Sequence, residues 1–270
     1  MRVCIITLDN TYPKLGGTSE LLHNFSTGLI ELGFEVHMAS FVNRYQEELI
    51  PNLKQYFYHN YAARLGEKRG QPHINTLREA LKTLKINGNV LRANTDIRFY
   101  EFLKSILIKH RIDALVVGTC WPAAVSEFAA KSRGISSVLY LNAIESDPRH
   151  GLNASNRVLA RTLEKVGIDL AFRVTVASND DKEILLKRGI SGEKLALLPN
   201  CVDCRKYEKV TIADKKHVRE ILGVEKNPVV VFVGGLDYPP NRLAVKRIYQ
   251  VIVPTVLNEM PHTKFCIIGP

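Results

Sequence analysis

An apolar run, an amphipathic helix and a second apolar run follow one another between Val3 and Phe41, and that order leaves few folds open. Val3 to Leu8 is continuously apolar and rich in β-branched residues, the pattern of a strand covered on both faces. Leu21, Leu22, Phe25, Leu29 and Leu32 keep one face of a helix that Gly33 ends, and Glu35 to Phe41 supplies the second strand. Two strands joined through a helix run parallel with a right-handed crossover. The alternation then continues. Ile97, Phe99, Phe102, Leu103, Ile106 and Leu107 have helical spacing, Asp113 to Gly118 is a strand, and Cys120-Trp-Pro122 opens a helix with Val125, Phe128 and Ala129 directed inward. Ser137 to Leu141 is the next strand, residues 156 to 166 a helix, and Val174 to Ala177 a strand. Ser178 or Asn179 caps a helix that Gly189 closes. The expected fold class is α/β, a Rossmann-like parallel sheet with helices on both faces.

Leu195 to Leu198 is long enough for one more buried strand, and Pro199 stops it because proline cannot donate to a sheet ladder. Asn200 and Asp203 bracket a turn, since both side chains bond their own backbone. A charged helix from Ile212 to Leu222 follows. After it, Pro228-Val-Val-Val-Phe-Val runs into Gly234 and Gly235, a helix from Asn241 places Leu243, Val245, Ile248 and Val251 inward with a kink at Pro254, and Lys264 to Ile268 is a strand. Residues 1–207 are therefore expected to form one domain. Residues 208–270 are expected to begin a second Rossmann-like domain, present as an incomplete βαβ stub.

The 270 residues are 46% hydrophobic, enough for a sizeable core, and no run approaches the roughly 18 apolar residues of a membrane span. Met1-Arg2 leads directly into a strand, so the expected address is cytoplasmic, and cysteines within apolar strand runs suit a reducing compartment. Cys201-x-x-Cys204 would give zinc two of its four ligands, with no second pair following, and no metal site is expected. The formal charge of +10 is uneven: residues 51–111 carry twelve basic side chains against four acidic ones. Such a block favours an anionic partner, a phospholipid surface or a diphosphate-linked acceptor, which implies a peripheral place at the cytoplasmic membrane face; solvated helix faces are the plainer explanation. Tyr56, Phe57, Tyr58 and Tyr61 interleave with these bases, as core, as an acceptor-side wall or as an interfacial belt. Nucleic acid is disfavoured as a partner, since no RRM, KH, zinc-finger or homeodomain signature occurs. A nicotinamide-cofactor domain is also excluded, because Leu15-Gly-Gly-Thr-Ser lacks the G-x-G-x-x-G spacing and Val36 to Phe41 ends in no carboxylate. Gly16 and Gly17 can still bring backbone N–H groups close to a sugar or phosphate at a helix N-terminus.

Several segments together resemble family-4 glycosyltransferases, retaining enzymes of the two-domain GT-B fold. Pro199-Asn-Cys-Val-Asp203 is similar to the P-N-G-V-D segment that closes their N-terminal domain, with Cys201 in place of glycine. Pro13, Gly16, Gly17, Leu29, Gly33, Glu35 and Val36 fall on the P-x-x-G-G loop, leucine helix and G-x-E-V pattern at its start. Asn142-Ala-Ile-Glu-Ser146 stands where relatives often carry H-N-x-E-S, so Ile144, Glu145 and Ser146 match and Asn142 takes the histidine position. Phe232 to Asn241 resembles the F-V-G-x-x-D-Y-x-P-N strand-loop-helix of one branch of the family. The resemblance implies transfer of a sugar from a nucleotide-sugar donor to a lipid-linked or saccharide acceptor, with no metal or cofactor beyond the donor itself. It also implies substrate-binding roles for Gly16, Gly17, Thr18, Asn142, Glu145, Asn200, Gly234, Gly235 and Asn241. Many members place Arg and Lys beside the donor diphosphate, where this sequence offers Gly235 and Pro240. The family's E-x7-E donor signature would fall beyond Pro270. The 270 residues by themselves are accordingly expected to transfer no sugar, and the alternative expectation is a non-catalytic acceptor- or membrane-binding subunit that relies on a partner chain for the donor site.

Overall fold

Seven strands of the first unit pair edge to edge, all in parallel. The computed structural model describes residues 1–8, 17–41, 52–58, 96–206, 210–224, 226–236 and 239–269. These fall into two units, Met1–Val202 and Asp203–Pro270. In the first, β1 (Arg2–Thr7), α1 (Gly17–Glu31), β2 (Glu35–Ser40), β3 (Leu53–Phe57), α2 (Ile97–Lys109), β4 (Ala114–Val117) and α3 (Ala123–Lys131) are followed by β5 (Ser136–Leu141), α4 (Ala154–Leu170), β6 (Arg173–Val176), α5 (Asn179–Lys187) and β7 (Leu195–Leu197). The sheet order is β3-β2-β1-β4-β5-β6-β7. Register places Val3 beside Val36 and Ala114, and Val176 beside Leu141 and Leu197.

The two sheet faces carry different cover. Leu21 and Leu22 of α1 pack on Val3, Ile5, Val36 and Met38. On the other face Cys4, Ile6, Ala39, Val117, Leu139 and Val174 lie beneath α2, α3, α4 and α5. The second layer is tightest where α3 meets α4. A Cβ on Gly167 would stand 2.6 Å from Ala123 Cβ and 3.1 Å from Leu139 Cδ2, so only glycine lets these backbones approach so closely.

That close approach corrects one expectation. Val125 packs against the core and Ala129 is buried, but Phe128 is 54% exposed. Small residues Ala123, Ser126, Ala129 and Ala130 draw α3 down onto its neighbours and leave no interior volume for a ring, which lies outside against Tyr100 at 5.7 Å between centroids. Leu32 is likewise exposed, because α1 ends at Glu31 and Gly33 turns the chain with φ 83°. Ile97 begins α2 on its solvent side.

β3 is the strand that periodicity does not announce. Among the described residues, Leu53-Lys-Gln-Tyr-Phe pairs with β2 alone. Tyrosines hold it: the Tyr56 hydroxyl lies 3.0 Å from His37 Nδ1, and Tyr58, buried, donates to Asp96 Oδ2 at 2.6 Å. Asp96 in turn caps α2 by accepting from Arg98 N. Tyr61 and the leucines 77, 81 and 84 lie outside the described residues.

In the second unit, α6 (Ile212–Ile221) starts in a capping box between Thr211 and Asp214. β8 (Val229–Val233) and β9 (Lys264–Ile268) pair in parallel, joined by α7 (Pro239–Arg247), a π-helical turn (Ile248–Ile252) and α8 (Val253–Glu259). The π turn sits immediately ahead of Pro254, which has no N–H to offer the regular ladder. Val245 and Ile248 are partly buried, whereas Leu243 and Val251 are exposed, another departure from the inward face read from the sequence. Two strands have too little surface to cover all four positions.

A buried acid makes the core sensitive to pH. Glu127 of α3 is 0% exposed; one oxygen accepts from Ser137 Oγ, and Oε1 has no hydrogen-bond partner among the described residues. Burial pushes its carboxyl up to about 7, against the opposing pull of the Ser137 hydrogen bond and Lys194. A carboxyl raised in the folded state favours folding most below its usual value near 4.5, and that contribution is lost as pH rises through about 7. Glu127→Gln removes this dependence. Urea unfolding at about pH 5 and about pH 8 should therefore show the parent losing on the order of 3 kcal/mol more than the variant across that interval. Parallel pH profiles would contradict this account.

Candidate functional site

The carboxyl ends of parallel strands converge on one edge of the sheet, and the loops that leave β5 and β6 there are neighbours by topology. They enclose an open cavity of about 260 Å³ lined by Asn142, Ala143, Arg149, His150, Ser178, Asp180 and Asp181. Asn142 and Ala143 directly follow β5. The chain then turns through Ser146 and Asp147 into a 3-10 helix, Pro148–His150, which carries Arg149 and His150 to the rim. Ser178 caps α5 by accepting from Asp181 N at 3.1 Å, and this sets Asp180 and Asp181 on the helix's first turn, where carboxylates are favoured.

The β5 loop is pinned from below by a buried carboxylate. Glu164 of α4, 1% exposed, accepts from Ser146 N at 2.9 Å, from Ser146 Oγ and from Arg188 Nη1 at 3.0 Å. Asp147 accepts from Arg149 N and Nε, both at 2.9 Å, and the adjacent guanidinium holds its carboxyl below the usual range. Glu145 directly precedes the anchored Ser146 and Asp147. Burial raises its carboxyl, His150 opposes that rise and Glu164 adds to it. The cavity wall therefore carries an amide, a cationic guanidinium, an imidazole and two carboxylates, a set that can bind a polyhydroxylated ligand through donors and acceptors at once.

The residues expected to bind substrate do not all gather here. Asn142 lines the cavity and Glu145 stands in the same loop. Asn200 accepts from the Tyr140 hydroxyl at 2.7 Å, which ties the segment after β7 back to β5. Gly16 lies outside the described residues; Gly17 and Thr18 form the first turn of α1. Gly234, Gly235 and Asn241 form a cluster within the second unit, where Asn241 Nδ2 donates to Gly235 O at 2.9 Å and a Cβ on Gly234 would stand 2.7 Å from that nitrogen. Arg149, His150, Asp180 and Asp181 were not singled out from the sequence. Their signal was topological: residues just past the ends of adjacent parallel strands share an edge. Among the described residues, no group of three or more His, Cys, Asp or Glu side chains is disposed to hold a metal ion, and no helix is long and apolar enough to cross a membrane.

A parallel sheet covered on both faces and followed by a second βαβ unit is the GT-B architecture, and solved structures share it. HepE from Anabaena, in complex with UDP and glucose, superposes with a TM-score of 0.59 at 17% identity, over 98% of this chain and 69% of that one. Sucrose-phosphate synthase from Thermosynechococcus elongatus gives 0.63 at 15% identity, over 99% and 70%. UDP-GlcNAc 2-epimerase from Methanocaldococcus jannaschii gives 0.52 at 14%, over 100% and 66%. A transferase and an epimerase on one fold mean that architecture alone does not choose the reaction. The sequence narrows it: residues 15–206 match the family model of Glycosyltransferase Family 4, and the chain belongs to that family. No curated protein matches it significantly.

The Glu164 anchor yields a direct expectation. Glu164→Gln turns one acceptor into a donor facing donors and leaves Arg188 without its counter-charge, at a cost on the order of 3 kcal/mol. Equilibrium denaturation measures the loss, and amide exchange at Ser146 should quicken with it. A loss well below about 1 kcal/mol with unchanged Ser146 exchange would show that the loop is held by something else.

Proposed function

We propose that this protein supplies the acceptor side of an enzyme that transfers a sugar, with retention, from a nucleotide-sugar donor to a glycan or lipid-linked acceptor, and that the cavity beyond β5 and β6 seats the acceptor. The observation that carries the reading is the convergence of Asn142, Arg149, His150, Asp180 and Asp181 at the carboxyl edge of a family-4 domain. Transfer requires the acceptor hydroxyl to be placed against the anomeric carbon while fixed donors stabilise the charge of the departing diphosphate. Asn142 takes the place where many relatives have histidine, and His150 lines the same cavity from the 3-10 helix, so an imidazole is still available to the acceptor hydroxyl. The half-buried Glu145 accepts from sugar hydroxyls beside it. The backbone of Gly16 and Gly17, with Thr18, supplies part of the acceptor-side wall, and the Gly234, Gly235 and Asn241 cluster serves the donor, with UDP-type nucleotides as the first donors to try because HepE is complexed with UDP.

The protein is read as cytoplasmic, meeting an anionic membrane surface through residues 51–111. Of the described bases in that segment, Lys54, Arg98 and Lys104 are already in ion pairs with Glu35, Asp96 and Glu101. A non-catalytic acceptor-binding subunit is the competing reading.

A transfer assay with labelled nucleotide-hexoses and a panel of saccharide and lipid-linked acceptors, run on the 270 residues alone and joined to a complete family-4 donor-binding domain, beside direct acceptor binding, tests the proposal. In the joined form, His150→Ala and Asn142→Ala should each lower kcat/KM by about 10²-fold or more, with acceptor binding weakened, whereas the 270 residues alone should show no turnover. Unchanged kinetics in both variants would remove the cavity from the reaction. Acceptor binding without turnover for any donor in the joined form would favour the subunit reading.

A further inference from the structure

The outer surface of α2 and α3 carries an aromatic and basic stripe that the sugar-transfer reading does not use. On α2, Ile97, Tyr100, Lys104 and Ile108 succeed one another at spacings of three and four residues, so they share one face. Phe128 and Lys131 are three apart on α3. The stripes join: the Tyr100 and Phe128 rings lie 5.7 Å apart, the Tyr100 hydroxyl lies 3.4 Å from Ser132 Oγ, and Lys104 Nζ sits 5.5 Å from the Tyr100 ring centre. Ile97, Ile108 and Phe128 are all at least half exposed. Nearby in the chain are Lys109, Arg111, Lys131 and Arg133, all exposed, and Glu101, the acid on this face among the described residues, is paired to Lys104 at 2.9 Å. Neither Lys131 nor Arg133 has a carboxylate partner among the described residues.

We infer that this face docks on an anionic phospholipid surface, with Phe128, Ile108 and Ile97 entering the headgroup boundary and the surrounding lysines and arginines meeting lipid phosphates. The inference rests on the membrane part of the reading above and moves it from a charge count over residues 51–111 to one surface built by two helices. Two physical facts favour lipid over a second copy of the chain. Lysine is depleted from the centres of protein interfaces, whereas here Lys104 lies beside Tyr100, Lys109 follows Ile108 and Lys131 stands one turn from Phe128. An aromatic ring with a basic belt is also the composition that settles at a bilayer interface, where apolar burial and attraction to anionic headgroups add. The helices need not move for this, because the residues already stand on the outside of a packed layer.

Vesicle co-sedimentation of the 270-residue chain tests it, using phosphatidylcholine alone and phosphatidylcholine with phosphatidylglycerol. Binding is expected only with the anionic lipid. Lys131→Glu with Arg133→Glu should weaken it by more than about 25-fold, and Phe128→Ala should weaken it by about fivefold or more, with thermal melting unchanged. Lys182→Glu with Lys187→Glu on α5 alters the net charge equally and should weaken it far less. Equal loss in both charge pairs would show attraction by net charge alone and overturn the assigned face. Loss only in Lys68→Glu with Arg69→Glu would keep membrane binding in residues 51–111 and likewise remove α2 and α3 from it. A monomeric Phe128→Ala variant from a dimeric parent, with lipid binding intact, would reassign the stripe to self-association. Because no sugar donor is present, none of these outcomes depends on whether transfer occurs.

Discussion

The carboxylate of Glu164 is where the fold and the candidate site meet. It is buried beneath the β5 loop with a guanidinium and two groups of Ser146 around it, so one charge from α4 decides where Asn142 to His150 can stand. A charge in that position is costly unless it is hydrogen-bonded and paired, and here the loop backbone, a hydroxyl and Arg188 serve both of its oxygens. The arrangement depends on α4 lying close enough to the sheet to deliver the carboxylate. Gly167, one turn further along α4, permits this by letting the helix backbone press against Ala123 and the Leu139 side chain. Helix packing, loop position and cavity shape are thus one mechanical chain.

The same packing explains the asymmetry of the outer surface. Drawing α3 inward through alanines and a serine makes its large residue, Phe128, face out beside Tyr100. One set of small residues therefore places the site on one edge of the domain and an aromatic, basic stripe on its helical face.

Much of the first unit was legible because parallel strands covered on both sides must be continuously apolar. Val3 to Leu8, Glu35 to Phe41 and the stretch ending at Gly118 all became strands where that pattern placed them. β3 was not legible, since among the described residues it bonds on one side only, and the hydroxyls of Tyr56 within it and Tyr58 just after it find partners far away in sequence, at His37 and Asp96. Phe128, Leu243 and Val251 have helical spacing but lie outward; periodicity tells which residues share a face, not how deep a neighbouring helix will press. At the site, Asn142 and Glu145 were found through the family resemblance. Arg149, His150 and the Asp180-Asp181 pair acquire meaning only when β5 and β6 are side by side, about thirty residues apart along the chain.

The most direct test of the cavity as the acceptor seat is a residue-by-residue map of ligand binding. Backbone amide shifts of the isotope-labelled chain, followed while saccharide and lipid-linked acceptors are titrated, report the contact surface without requiring turnover. The account predicts the largest shifts at residues 142–150 and 178–181, saturating together. Saturating shifts confined to residues 234–241, or to the outer face of α2 and α3, would contradict it.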